Sequence, residues 1–363
     1  MLLGRAAVLA LMLASGLAWA QDKDRVVNVY NWSDYIDQQV LEAFEKETGI
    51  KVVYDVFDSN DVLETKLLAG STGYDVVVPS ANFLARQIKA EVFRPLDPAL
   101  LPNRKTMSPL IERMTAKYDP GNRHAVTYLW GTTGIGYDAR KIKARMADAP
   151  VDSLRMLFDP AVVAKFADCG VSVIDAPEEL FAAALRLQGG DPDAKDQAAL
   201  ERAEKALLAV RPYIGKFHSS QYINDLAGGD VCLVFGWSGD IFQARNRARE
   251  AKAPVEIEYR IPREGALMWF DMMAIPADAP NPLAAHRFID FMLRPANIAK
   301  TSNFVLYANG SDAAFPLVDK AVREDPQVYP PPEVVAKLYG LTPHDARSQR
   351  FLTRAWTRIK GGS

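Results

Sequence analysis

The sequence predicts an α/β fold in two lobes with a cleft between them. Three observations carry this. Short β-branched runs alternate with amphipathic helical stretches in the first hundred residues, as in a sheet covered by helices. The 363 residues exceed what one compact core ordinarily holds. Strand-like runs from three distant parts of the chain end in the same mixture of aromatic and acidic residues, as they would if all three opened on one crevice beyond the strand ends.

Taken in order, the apolar run Ala6 to Leu13 after Arg5, with Ala18-Trp19-Ala20 before Gln21, reads as a cleavable signal of residues 1–20. The run is short for a membrane span, and no cysteine follows it to carry a lipid. A secreted or periplasmic protein is expected. The net charge of −2 over the full chain becomes about −3 once Arg5 is removed. This excludes the clustered basic footprint of a nucleic-acid binder.

The strand Val26–Asn31 delivers Trp32-Ser33-Asp34-Tyr35. Val40, Leu41 and Phe44 mark a helix that Gly49 ends. Residues 50–56 form a second strand; Ser59 or Asn60 caps the next helix, which stops at Gly70. Asp75–Val78 is a short buried strand, and Ser80 stands at its end, either as a helix cap or with its hydroxyl in the crevice. The alternation predicts a mostly parallel sheet with helices on both faces.

The strand Ala125–Trp130 continues into Gly131–Asp138, whose glycines fail the spacing of a dinucleotide or phosphate loop and read as an extended crossover between lobes. In the second lobe the strand Val171–Ile174 leads to Asp175-Ala176-Pro177-Glu178-Glu179, a helix start with Asp175 as its cap and acids at its positive end. An amphipathic helix around 198–208 and a capped helix over 219–226 follow. Leu233–Gly236 then runs into Trp237-Ser238-Gly239-Asp240. After an alternating strand at 256–262, Arg263–Gly265 is a second crossover. The chain returns with Trp269-Phe270-Asp271, a helix around 284–293, and Tyr307. The expected division is 26–131 with 265–305 as lobe 1, 132–264 with 306–345 as lobe 2, and 346–363 as a C-terminal helix and tail.

No catalytic constellation emerges. The four histidines are scattered without ligand spacing and read as surface or hydrogen-bonded residues, so neither a metal site nor a cofactor is expected. Gly236–Asp240 fails the nucleophile-elbow pattern because Asp stands at its fifth position. Cys169 and Cys232, in an oxidising compartment, are either bridged or two buried thiols. A bridge would close a loop of roughly 60 residues, worth about 4 kcal/mol. What the acids and aromatics suit is an organic cation. Asp34, Asp240 and Asp271 would hold ammonium groups, and Trp32, Trp237, Trp269 and Tyr307 would wall the chain between them.

The residues Asn31–Tyr35, Val78–Ser80, Thr132–Tyr137, Asp175–Glu179, His218–Leu226 and Thr353–Thr357 together resemble the bacterial periplasmic polyamine-binding proteins of ABC transporters. The resemblance runs from the first mature strand to the tail. It implies a type II binding-protein fold with the ligand between the lobes. It also implies an aromatic box of Trp32, Trp237, Trp269 and Tyr307, and an ammonium site at Asp240 and Asp271. Ser33, Asp34, Ser80 and Glu179 would make further polar contacts, Tyr35 would line the wall, and Cys169 would be bridged to Cys232. Asp34, Ala176 and Asp240 look like the putrescine-preferring members, whereas Trp269 in place of Phe looks like the spermidine-preferring ones. The expectation is a monomeric, non-enzymatic protein that captures putrescine, or second spermidine, and delivers it to an inner-membrane ABC permease. The alternatives are a polyamine-loaded sensor docking on a receptor, or a secreted enzyme acting on amines or glycans.

Overall fold

Val27 and Val29–Trp32 of the segment Val26–Trp32 (β1) are buried, so it packs between neighbours. It pairs in parallel on one side with Lys51–Phe57 (β2) and on the other with Val76–Val77 (β3). The computed structural model describes residues 25–362. The proposed signal, its cleavage site and Gln21 lie outside the described residues.

The connections are helices whose ends follow local chemistry. Asp37 caps the helix Gln38–Thr48, and Gly49, at φ 69°, closes it in the left-handed conformation. Ser59, not Asn60, caps the helix Asn60–Ala69. Ser80 occupies the cap position of the helix Ala81–Lys89 but makes no capping bond, so its hydroxyl is free for other work.

Ala125–Asp138 (β4) is one strand of 14 residues, buried throughout. In the second lobe Val171–Val173 (β5) lies between Lys216–Phe217 (β6) and Leu233–Trp237 (β7), in parallel with both. Ile257–Arg260 (β8) and Met268–Ala274 (β9) follow, then Ala308–Asn309 (β10). The path of pairing runs β2-β1-β3-β9-β4-β7-β5-β6, with β8 and β10 also on β4.

β4 therefore belongs to both lobes. Its first half pairs with β9 as far as Thr132, and from Thr133 onward it pairs with β7. The expectation of a mostly parallel sheet holds only for the outer strands. The returning strands β9, β7, β8 and β10 meet β4 antiparallel, and β9 also meets β3 so, because the chain crosses between lobes and comes back. β10 pairs with Leu129 and Trp130 in the first half of β4.

Cys169 and Cys232 are joined in a disulfide that ties the entry of β5 to that of β7. The C-terminal helix Ala346–Gly361 packs against the helices Gln197–Val210 and Pro177–Leu187. No helix among the described residues is long and apolar enough to cross a membrane.

Candidate functional site

The ends of β1, β2, β7 and β9, with the helix starts at Pro177 and Ser238, open on one cleft between the lobes. Its inner part, open at the mouth, is lined by Trp32, Ser33, Tyr35, Ser80, Glu179, Trp237, Asp240, Trp269, Asp271 and Tyr307. Ten of the eleven residues expected at the site thus face a single space.

Asp271, on β9, is 4% exposed and accepts hydrogen bonds from Ser80 Oγ at 2.6 Å and Tyr35 Oη at 2.9 Å. Ser80 is held in turn by Asn60, whose amide donates to the Ser80 hydroxyl and accepts from its backbone N–H. Asp240, in the first turn of the helix Ser238–Glu250, accepts from Tyr307 Oη at 2.6 Å and Tyr222 Oη at 2.7 Å. Glu179, half-buried, accepts from the Thr133 hydroxyl and from Trp237 Nε1. All these donors are neutral. No Lys, Arg or His is found among the residues lining the cleft.

Burial without a counter-cation raises the pKa of each acid. Desolvation pushes Asp271 and Glu179 up to about 7 and Asp240 up to about 6, against the lowering effect of their hydroxyl and indole donors. Such an arrangement is poised for a ligand that brings positive charge and replaces the lost water.

The walls are aromatic. The Trp32 and Trp237 rings meet edge-on at 5.5 Å, one from each lobe, and Trp269 meets Tyr307 at 5.2 Å. Trp32 is locked by its Nε1 donating to the Val78 carbonyl. Two glycines make this box possible. A Cβ on Gly131 would lie 2.6 Å from the Trp269 ring, and one on Gly239 would lie 2.5 Å from that of Tyr307. Tyr307 itself follows Leu306, which leaves its helix at φ 62°.

Asp34 is the exception. It sits at the rim in a left-handed turn at φ 55°, does not line the cleft, and its carboxylate binds Arg247 of the second lobe at 2.8 Å. Asp175 does not cap the helix Pro177–Leu187, whose cap position is Ala176. Its carboxylate instead accepts from Trp356 Nε1 and Lys360 of the C-terminal helix.

Several residues in the site escaped the sequence reading. Phe57 and Asp58 line the cleft at the end of β2, where the strand-end rule used for Trp32 applies equally. Tyr222 and Thr133, which hold Asp240 and Glu179, gave no signal beyond lying in family-like stretches. Ser219, Ser220 and Ile223 complete the second-lobe wall.

Nothing in the cleft is assembled for covalent chemistry among the described residues. Ser238, at the elbow-like position, is 2% exposed and faces the Thr132 N–H at 3.5 Å, and no histidine contacts it. His218 Nδ1 accepts the backbone N–H groups of Ser220 and Gln221. No cluster of three His, Cys, Asp or Glu is placed to hold a metal among these residues.

Two lobes joined through a shared strand, closing an acidic aromatic cleft, define a protein that captures a soluble ligand. The chain matches the bacterial extracellular solute-binding proteins over residues 39–330 and belongs to that family. It is 51% identical to the putrescine-binding periplasmic protein SpuD of Pseudomonas aeruginosa, over 98% of each chain. It is 50% identical to the putrescine-binding periplasmic protein PotF of Escherichia coli, over 97% of this chain and 95% of that one. Among solved structures, the spermidine/putrescine ABC transporter substrate-binding protein PotD of Streptococcus pneumoniae superposes with a TM-score of 0.75 at 27% identity, over 93% of this chain and 99% of that one.

Proposed function

We propose that this protein captures a short linear polyamine in the periplasm and passes it to an inner-membrane ABC permease. Putrescine is the favoured ligand and spermidine the second. The protein acts as a monomer and performs no chemistry on what it binds. The lobes are those expected from the sequence, 26–131 with 265–305 and 132–264 with 306–345.

The observation that carries this reading is the set of two buried carboxylates and a half-buried third with only neutral donors, in a space walled by indoles and phenols. A charge-assisted hydrogen bond to each ammonium group contributes roughly 1.5–3 kcal/mol. A desolvated cation–π contact adds up to about 2 kcal/mol. The methylenes lie against aromatic faces that polar ligands would leave unpaired. The names of the relatives SpuD and PotF support putrescine.

Thermal unfolding with putrescine, cadaverine, spermidine, spermine and agmatine tests the reading. A ligand bound only by the folded state raises the melting temperature by mass action. Putrescine is expected to give a large shift and to be recovered unchanged at one per chain. No shift with any amine, or turnover of the amine, refutes the proposal.

A further inference from the structure

The charges of the cleft and of its ligand do not match in number. Asp271, Asp240 and Glu179 line one inner space, and each is held by hydroxyl or indole groups alone. The nearest cations are already engaged. Arg247 is held by Asp34 and Asn224 at the rim, and Arg86 lies between Glu64 and Glu178. Lys360 is held by Asp175. Asp58, at the mouth, and Glu179 are both half-buried, and of the two Glu179 is the one held by the Thr133 hydroxyl and Trp237 Nε1. Asp271 and Asp240, both buried, and the half-buried Glu179, each held by neutral groups alone, therefore look to the ligand for compensation.

A diamine brings two positive charges and a triamine three. Leaving one carboxylate ionised and uncompensated beside two others in a dry space is strongly unfavourable. A proton removes that charge without disturbing the geometry. Thr133, Ser80, Tyr35, Tyr222 and Tyr307 present hydroxyls to the acids, and a hydroxyl that donates to a carboxylate can accept from a carboxylic acid.

We propose that the cleft holds a linear diamine with one of the three carboxyl groups held by neutral donors protonated, and a linear triamine with all three ionised. The proton belongs to the coupled group of acids and not to one residue. On binding a triamine it passes from the carboxyl to solvent. Selection between the two ligands is thereby set by pH: acid favours the diamine and rising pH favours the triamine. Burial raises all three acids towards neutrality, which puts the exchange in a physiological range.

This rests on the polyamine reading, and calorimetry separates the two. Putrescine and spermidine are titrated into the full protein in two buffers of different ionisation enthalpy, which yields the protons released by each. Spermidine should release about one more proton than putrescine, and the ratio of spermidine to putrescine affinity should rise by up to about tenfold per pH unit between about pH 5.5 and 7.5. The ligand amines, which titrate near pH 10 as lysine does, stay charged over most of that range. In Glu179→Gln, with two acids left, the difference in proton release should vanish. Equal proton release in the unaltered protein with a pH-independent ratio, or binding of putrescine without spermidine at every pH, overturns this inference and leaves the polyamine reading standing. Binding of neither amine removes both.

Discussion

Arg247 donates to the Asp34 carboxylate at 2.8 Å and so ties the helix Ser238–Glu250 of one lobe to the turn after β1 of the other. A second tie lies elsewhere on the rim, where Arg86 of lobe 1 contacts Glu178 of lobe 2 at 3.1 Å while held by Glu64 and facing Gln349 of the C-terminal helix. The two differ in exposure. Asp34 and Arg247 are 44% and 33% exposed, whereas Glu178 is only 7% exposed.

Arg247→Ala should therefore weaken ligand binding by less than about 1 kcal/mol, chiefly through faster release, and the effect should fade in high salt. Arg86→Ala leaves Glu178 buried without its cation and should cost about 2 kcal/mol or more of stability. Release kinetics against ionic strength and thermal unfolding distinguish them. A larger, salt-independent effect at Arg247 contradicts the assignment.

Asp271→Asn keeps the shape of the site but removes its most enclosed charge. Putrescine affinity should fall by roughly 2 kcal/mol or more, about thirtyfold, on loss of a charge-assisted contact. Isothermal titration measures this, and an unchanged affinity takes Asp271 out of the site.

The raised acids predict opposite trends for the empty and the loaded protein. Their folded pKa values, about 7 for Asp271 and Glu179 and about 6 for Asp240, lie above ordinary carboxyl values near 4. Between those limits the folded state binds more protons than the unfolded one, so the stability of the empty protein should fall as pH rises from about 4 to 7. Putrescine supplies the missing cations, so the rise in melting temperature that it produces should grow over the same interval. Unfolding scans across pH, with and without putrescine, check both signs.

Gly131→Ala should disorder the box, because its methyl would meet the Trp269 ring at 2.6 Å and Tyr307 at 2.9 Å. Overpacking of this kind costs about 1–3 kcal/mol. Binding should suffer with it, and an unchanged melting temperature and affinity would show that the rings have room to yield.

Much of the cleft was legible because it obeys a local rule. A buried β run that ends in an aromatic and then an acid presents both at the strand end, as Trp32, Trp237 and Asp240 show; Trp269 and Asp271 lie in the first half of β9, beside its apolar run. Ser80 was ambiguous until the fold placed Asp271 beside it, since capping and site roles need the same residue. Asp34 could not be read locally. Its rim position depends on a left-handed turn and on an arginine more than two hundred residues away. Asp175 misled for the same reason, because Trp356 and Lys360 of the last helix outcompete the backbone for its carboxylate. Antiparallel pairing on β4 was hidden because it arises from the return crossings and not from any run's own pattern.

The change of partner along β4 has a mechanical consequence. The change falls between Thr132, last paired with β9, and Thr133, first paired with β7, while the Thr133 N–H still donates to the Leu267 carbonyl at 3.1 Å. Thr133 also holds Glu179. The residue at which β4 passes from one sheet to the other thus also positions a carboxylate of the cleft, so a movement of the lobes about this strand would be felt at that carboxylate.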